Sequence, residues 1–301
     1  MNEQIAWLNG EYLPFSEAAL PLSDSGIVHG DAVTEMLRTF RQQPFRVAEH
    51  QDRFRHSLAA SLLECPYADE ELSEVIEQVV RRATEDLPGE TDLGVILFGT
   101  GGPNVTYVGK SAASAPTICV HTFPLHFELW KEALLQGQHL VVSEHPAISV
   151  DSLDPTIKSR SRMHWRIADR KVRRQVPGAS ALFATREKQI TETSSGNLFA
   201  VLNREIVTPP AEFVLNGISR QMVIELSRQL DWPVTERPLL VEEALEAEEL
   251  WTSSTPYCLL PVTRLNDRVI GSGEPGERYQ QILSAWSELV GVDLRAQLLN
   301  G

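Results

Sequence analysis

The apolar residues of this chain recur with two different periods, and stretches of each kind are interleaved along its length. Residues 5–14 alternate around Asn9-Gly10, a dipeptide suited to the two-residue turn of a hairpin. Thr34 to Phe40, Leu93 to Phe98 and Thr117 to Thr122 are apolar runs of strand length. Between them, Phe54, Leu58 and Leu62 fall on one face of a helical stretch from Glu49 to Leu63. Leu72, Val75, Val79 and Val80 do the same from Glu70 to Thr84. Strands joined by short turns and covered by two amphipathic helices predict an α+β first domain over residues 1–124.

The pattern restarts after a connection at 125–136. His139 to Ser143 reads as a strand, and Ser159 to Gln175 as a basic helix ending before Pro177-Gly178. Ala181 to Thr185 with Gln189 to Thr193, and Asn197 to Leu202 with Glu205 to Thr208, read as hairpins. Helical stretches follow at Gly217 to Leu230, Val241 to Ala247 and Arg278 to Val290, with strands at Glu249 to Ser253 and Leu259 to Leu265. A chain of 301 residues exceeds one typical core, so residues 137–301 are expected to form a second domain.

The formal net charge of −14 disfavours binding to nucleic acid or to anionic membranes, which both need positive surface. No apolar run approaches the ~20 residues that span a bilayer. Met1-Asn2-Glu3-Gln4 opens no basic-then-apolar leader, so a cytoplasmic location is expected. Cys65, Cys119 and Cys258 are isolated, with neither metal-ligand spacing nor a disulfide framework. They are expected to be reduced and mostly buried, and no metal site is expected.

Lys158 stands in Pro155-Thr156-Ile157-Lys158-Ser159, where an apolar approach runs into the helical pattern. A lysine whose stem is fixed there, with Arg160 and Arg162 close in sequence, has the surroundings that lower an amine's pKa and make it nucleophilic. Glu192 lies in Ile190-Thr191-Glu192-Thr193-Ser194-Ser195-Gly196, among small residues that leave room for a flat ligand. A carboxylate beside a pyridine nitrogen keeps the ring protonated and electron-withdrawing. The pair suggests a carbonyl cofactor held as a Schiff base. Leu215-Asn216-Gly217-Ile218-Ser219-Arg220 is a glycine turn opening a helix, an anion-binding arrangement of backbone N–H groups. Ser253-Ser254-Thr255-Pro256 is a hydroxyl-rich loop of similar use, and Arg53 offers a guanidinium for a phosphate. Each has an ordinary alternative: a solvated lysine or glutamate, an N-cap at Ser219, a Ser/Thr turn, an Arg53 ion pair with Asp52 or Glu49.

Taken in order, these elements resemble the fold-type IV pyridoxal-phosphate enzymes, which include branched-chain and D-amino-acid aminotransferases and aminodeoxychorismate lyases. The resemblance runs from Asn9-Gly10 through Asp24-Ser25-Gly26, Gly30-Asp31 and Glu35, then His50 with Arg53. It continues through Ile157-Lys158-Ser159, Thr191-Glu192, Asn197-Leu198-Phe199, Thr208-Pro209-Pro210 and Leu215 to Arg220, and closes with Glu248-Glu249 before Ser254-Thr255, then Pro261-Val262. It implies a two-domain fold, with a small N-terminal α/β domain and a larger, mixed β-barrel-like C-terminal domain. It implies that pyridoxal 5′-phosphate is the cofactor and that Lys158 is the catalytic, Schiff-base lysine. By the same resemblance Glu192 binds the ring nitrogen and Leu215 packs on the ring. Arg53, Ile218, Ser219 and Thr255 hold the phosphate, with Ser254 nearby, and Gly217 also belongs to the cofactor-binding set. A homodimer acting on small amino and keto acids is implied.

The departures fall on the substrate side. Ser25, His29 and Thr34 stand where the family often has an arginine, a tyrosine and an aromatic residue. The loop Thr100-Gly101-Gly102-Pro103-Asn104 lacks the arginine and histidine of D-amino-acid enzymes. Arg162 or Arg38 is expected to read a substrate carboxylate, helped by His29, Thr34 and Thr100. The expected reaction is ping-pong transamination between a D- or branched-chain L-amino acid and a 2-keto acid. The alternatives are pyruvate elimination by a lyase and a noncatalytic binding protein on this fold. An arginine at 162 resembles the lyases.

Overall fold

The computed structural model describes residues 4–109 and 115–300. Residues 1–3 and 110–114 of the expected first domain, and Gly301 of the second, lie outside the described residues. The chain folds as two compact units. One comprises Met1–Leu125 with Ile157–Ser161, the other His126–Thr156 with Arg162–Gly301.

The first unit is built on six antiparallel strands. They are β1 (Ile5–Leu8), β2 (Glu11–Pro14), β3 (Ala32–Phe40), β4 (Gln43–Pro44), β5 (Leu93–Thr100) and β6 (Thr117–Pro124), ordered β2-β1-β6-β5-β3-β4. Leu8 faces Glu11 across the first hairpin, and Asn9 and Gly10 take the positive φ angles, 48° and 97°, that this tight turn requires. Helices α1 (Ser25–Val28), α2 (Val47–Ala60), α3 (Asp69–Thr84) and α4 (Val105–Val108) complete the unit. The long helices α2 and α3 lie on the sheet over a core of Trp7, Leu37, Phe54, Leu58, Ile76 and Val95.

Helix α2 stops earlier than its apolar spacing predicts. Leu62, counted above on its buried face, sits past the end at φ 56° and is 91% exposed. The N–H of Leu63 donates to Leu58 O and that of Leu62 to Ala59 O, the paired bonds of a Schellman ending. That ending needs a left-handed residue, and Leu62 supplies it.

Ile157–Ser161 belongs to this unit and not to the helix expected from Ser159. Ile157 packs on the core of α2 and α3. Ser159 bridges Val33, the Thr34 N–H donates to Lys158 O at 2.9 Å, and the Arg160 N–H donates to Ala32 O at 2.9 Å. Backbone groups used along β3 cannot also make a helical turn, so the helix starts only at Met163.

The second unit contains β7 (Gln138–Val142), β8 (Ser180–Ala184), β9 (Ile190–Thr193), β10 (Asn197–Leu202), β11 (Glu205–Thr208), β12 (Val234–Glu236), β13 (Glu249–Ser254), β14 (Cys258–Leu265) and β15 (Arg268–Val269). Its helices are α5 (Lys131–Gln136), α6 (Met163–Gln175), α7 (Ile218–Gln229), α8 (Val241–Leu245), α9 (Glu277–Val290) and α10 (Leu294–Asn300). The expected connection at 125–136 is therefore partly helical and lies almost wholly in this unit. Pairing runs β10-β13-β14-β7-β8-β9 and returns to β10, so six strands close into a barrel. The closing contact is the single pair Asn197–Glu192. Leu140, Leu182, Leu198, Ala200, Leu250 and Val262 contribute to its apolar core. On the alternate positions Phe199 and Trp251 meet at 6.4 Å between ring centroids, and α7 and α9 pack on β13. Among the described residues, no helix is long and apolar enough to cross a membrane.

Candidate active site

Candidate residues occur in both units, and each set is built within its own. In the first, Lys158 is half-buried and its backbone is pinned on both sides. Its N–H donates to Ser57 Oγ at 3.1 Å and its carbonyl accepts from Thr34, as above. A side chain on so fixed a stem has few ways to misplace its amine.

On α2, residues 50, 53 and 57 share one face, which turns toward β3. Arg53 donates from Nε to Glu35 Oε2 at 2.9 Å and from Nη2 to Glu35 Oε1 at 2.7 Å, a two-point grip. His50 Nδ1 lies 3.3 Å from the same Oε2. Glu35 is wholly buried, and burial alone would raise its pKa. Arg53 and His50 outweigh this and hold it at about 2. Burial pushes His50 below the usual histidine range, and the charges of Arg53 and Lys158 push the same way, overcoming Glu35. The triad therefore presents a carboxylate, a guanidinium and a neutral imidazole. The ion pair of Arg53 is with Glu35 and not with Asp52 or Glu49.

The proposed substrate wall of this unit is organised by a residue that spacing alone does not single out. Asp24, 1% exposed, accepts from the Thr100 and Thr117 hydroxyls at 2.9 Å each and from Gly26 N at 2.7 Å. Ser25 N donates to Gly102 O and Asn104 N to Ser23 O, both at 2.7 Å, so the loops after β2 and β5 form one body. The hydroxyl proton of Thr100 is thus directed at Asp24. His29 is exposed, and its Nε2 lies 2.7 Å from Asn104 Nδ2. Thr34 is buried, with its hydroxyl 3.3 Å from Leu97 O. Arg38 is buried at the far end of β3, 3.6 Å from Asp92 and over the Phe40 ring.

In the second unit, Glu192 is buried beside Thr191 and Thr193. Asn197 Nδ2 lies 3.5 Å from Glu192 Oε2 and donates to Leu215 O at 2.8 Å. Gly217 is the N-cap of α7 and makes no side-chain cap, so the first N–H groups of Ile218 and Ser219 begin the helix without one. A Cβ at Gly217 would stand 2.2 Å from Asn197 Oδ1, so a larger residue there would have to displace the Asn197 amide. Arg220, 2% exposed, donates from Nη2 to Glu236 at 2.6 Å and to Pro209 O at 2.9 Å, fixing the approach to the helix. On the neighbouring strand, Ser253 Oγ is buried with no partner. Ser254 donates to Ser195 O at 2.6 Å, and Thr255 is half-buried in the turn beyond. Arg162 donates to Ser194 O and lies 3.7 Å over the Trp165 ring.

This set fits a flat phosphorylated ring. An uncapped helix start suits a phosphate dianion, and a buried carboxylate suits a protonated ring nitrogen. Sequence spacing found both, whereas Asn197, which joins them, figured only as a piece of the resemblance, because strand pairing across the barrel is not a local signal.

The profile of the family described as amino-transferase class IV matches residues 32–265. The chain belongs to the class IV aminotransferases. The family uses pyridoxal 5′-phosphate, in keeping with the expectation above. D-alanine aminotransferase of Bacillus licheniformis is 28% identical, over 92% of this chain and 94% of that one. Branched-chain-amino-acid aminotransferase-like protein 1 of Arabidopsis thaliana is 29% identical over 95% of this chain, which spans 50% of the plant protein. The fold is that of the branched-chain amino acid aminotransferase from Thermobaculum terrenum in its PLP form. The TM-score is 0.83 at 22% identity, covering 99% of this class IV chain and 97% of the other. The expected two-domain fold-type IV architecture is thereby shown.

Proposed function

We propose that this class IV aminotransferase exchanges the amino group of a D- or branched-chain L-amino acid with a 2-keto acid, in two half-reactions of a ping-pong cycle. The observation that carries the reading is the buried Glu192 tied through Asn197 to the uncapped start of α7. Pyridoxal 5′-phosphate, when bound, supplies a carbonyl for amines and a ring that withdraws electrons. Arg53, Ile218, Ser219 and Thr255 hold the phosphate, and Ser254, whose proton points to Ser195, shapes that loop. Gly217 lets the backbone approach, and Leu215 packs on the ring. Glu192 accepts the ring N–H and keeps that proton in place. Lys158 Nζ would be the amine that meets the cofactor's carbonyl, and, once free, the base that would take up and return the proton at the amino donor's Cα. Arg162 reads the substrate carboxylate, with His29, Thr34 and Thr100 on the substrate side. Arg38, already beside Asp92 and Phe40, is the poorer candidate of the two arginines. The working molecule is a homodimer.

A panel of D- and L-amino donors, each given to the holoenzyme without a keto acid, tests the reaction. Conversion of the cofactor to its pyridoxamine form by a subset of donors supports transamination. Pyruvate release from aminodeoxychorismate with no such conversion would replace it with a lyase. For Arg162→Ala, KM is expected to rise for every accepted amino acid. An unchanged KM removes Arg162 from that role.

A further inference from the structure

The start of α7 and the carboxylate of Glu192 belong to separate elements, and a rigid ligand that uses both demands a fixed distance between them. We propose that Asn197 is a positioning residue that sets this distance. The inference rests on the reading above, in which Glu192 and α7 serve opposite ends of one cofactor.

Asn197 is 5% exposed and is held from several directions. Its backbone pairs with Glu192 on one side and with Ser253 on the other. Its Nδ2 faces Glu192 Oε2 at 3.5 Å and donates to Leu215 O at 2.8 Å. Its Oδ1 occupies the space that a Cβ on Gly217 would need. The amide is therefore a spacer. One nitrogen faces the carboxylate and grips the loop before the helix, and the oxygen limits how near the N-cap comes. An asparagine suits this because its NH₂ carries two protons, one for each acceptor. An aspartate would keep the shape, lose both donors and add a like charge beside Glu192. Sites of this kind lose ligand affinity when supporting contacts slacken by as little as ~0.5 Å.

The probes are pyridoxine 5′-phosphate, which has no aldehyde to react with Lys158, and inorganic phosphate. Binding of each to apoenzyme is measured by calorimetry for the wild type, Asn197→Ala and Asn197→Asp. Removing a hydrogen bond to a charged group predicts that pyridoxine 5′-phosphate weakens at least about tenfold in both variants, and further in Asn197→Asp. Inorganic phosphate, which does not span the two elements, is expected to change less than ~3-fold. If an Asn197 variant fails to fold, Asn197→Ser, which keeps a small polar side chain but reaches neither acceptor, is measured with the same two probes, and the same selective loss is expected. Variants that bind pyridoxine 5′-phosphate as the wild type does would overturn the spacer role. Equal losses for both probes would overturn it too, leaving Asn197 a support of the phosphate site only. A wild-type enzyme that binds inorganic phosphate but not pyridoxine 5′-phosphate would instead overturn the cofactor reading, and the spacer with it.

Discussion

Glu35 is wholly enclosed, yet it is held ionised down to about pH 2, because Arg53 and His50 converge on it. Breaking such a pair costs more than the pair itself contributes, since the surviving charge stays buried. Glu35→Gln is therefore expected to lower unfolding free energy by ~3–5 kcal/mol in a denaturant titration. It also frees Arg53 from its two-point grip, so weaker binding of pyridoxal phosphate should accompany it. The sign of the pH dependence follows from the depressed pKa. Glu35 contributes stability that is complete above its ordinary value near 4.5 and is lost as pH falls toward about 2. His50, held neutral below its ordinary 6.5, acts in the same direction, losing stability as pH falls below that value. Wild-type stability should thus decline on acidification in two stages. Glu35→Gln should lack the lower one, and an unaltered acid limb in this variant would show that the triad does not couple to folding.

At the scale of elements, the segment at 157–161 matters most, because it fixes where Lys158 emerges. Ser57→Ala removes the acceptor of the Lys158 N–H and should cost about 1–3 kcal/mol for a buried donor left unmade. Its kinetic mark should be a fall in kcat larger than any rise in KM, since the proposed role of the lysine lies in the chemical step. Equal changes in both would point to a general loosening. This segment was not legible in the sequence. Ser159 to Gln175 carries a continuous helical pattern, and its first residues leave the helix only because β3, far away in the chain, offers them backbone partners. The helix α7, by contrast, was read within a residue of its ends, since Gly217 and the apolar spacing are local signals. Leu62 shows the limit of spacing from the other side. Its position in the periodic pattern was right, but a Schellman ending turned it outward. Among site residues, Lys158, Glu192 and the α7 start stand out as motifs. Asp24 and Asn197 enter the sequence reading only as parts of the resemblance, with no role, because their importance lies in what they join across sheets.

For the whole molecule, the ordered motifs spread over both units identified the family, and the profile match confirms it across residues 32–265. At −14 overall the chain's general field does not attract substrate anions, so the proposed reading assigns that attraction to a local cation, Arg162. Cofactor binding to the native state only should stabilise the protein by about 2.7 kcal/mol at a hundredfold excess over Kd, a gain visible as a higher Tm of holoenzyme than apoenzyme. The central claim is that Lys158 is the amine that bonds the cofactor. Borohydride reduction of the holoenzyme, followed by peptide mass spectrometry, tests it directly. The predicted result is a pyridoxyl phosphate mass on the peptide containing Lys158, lost together with the visible absorption band in Lys158→Ala. A modified peptide from any other lysine, or no modification of a protein that retains its cofactor, would contradict it.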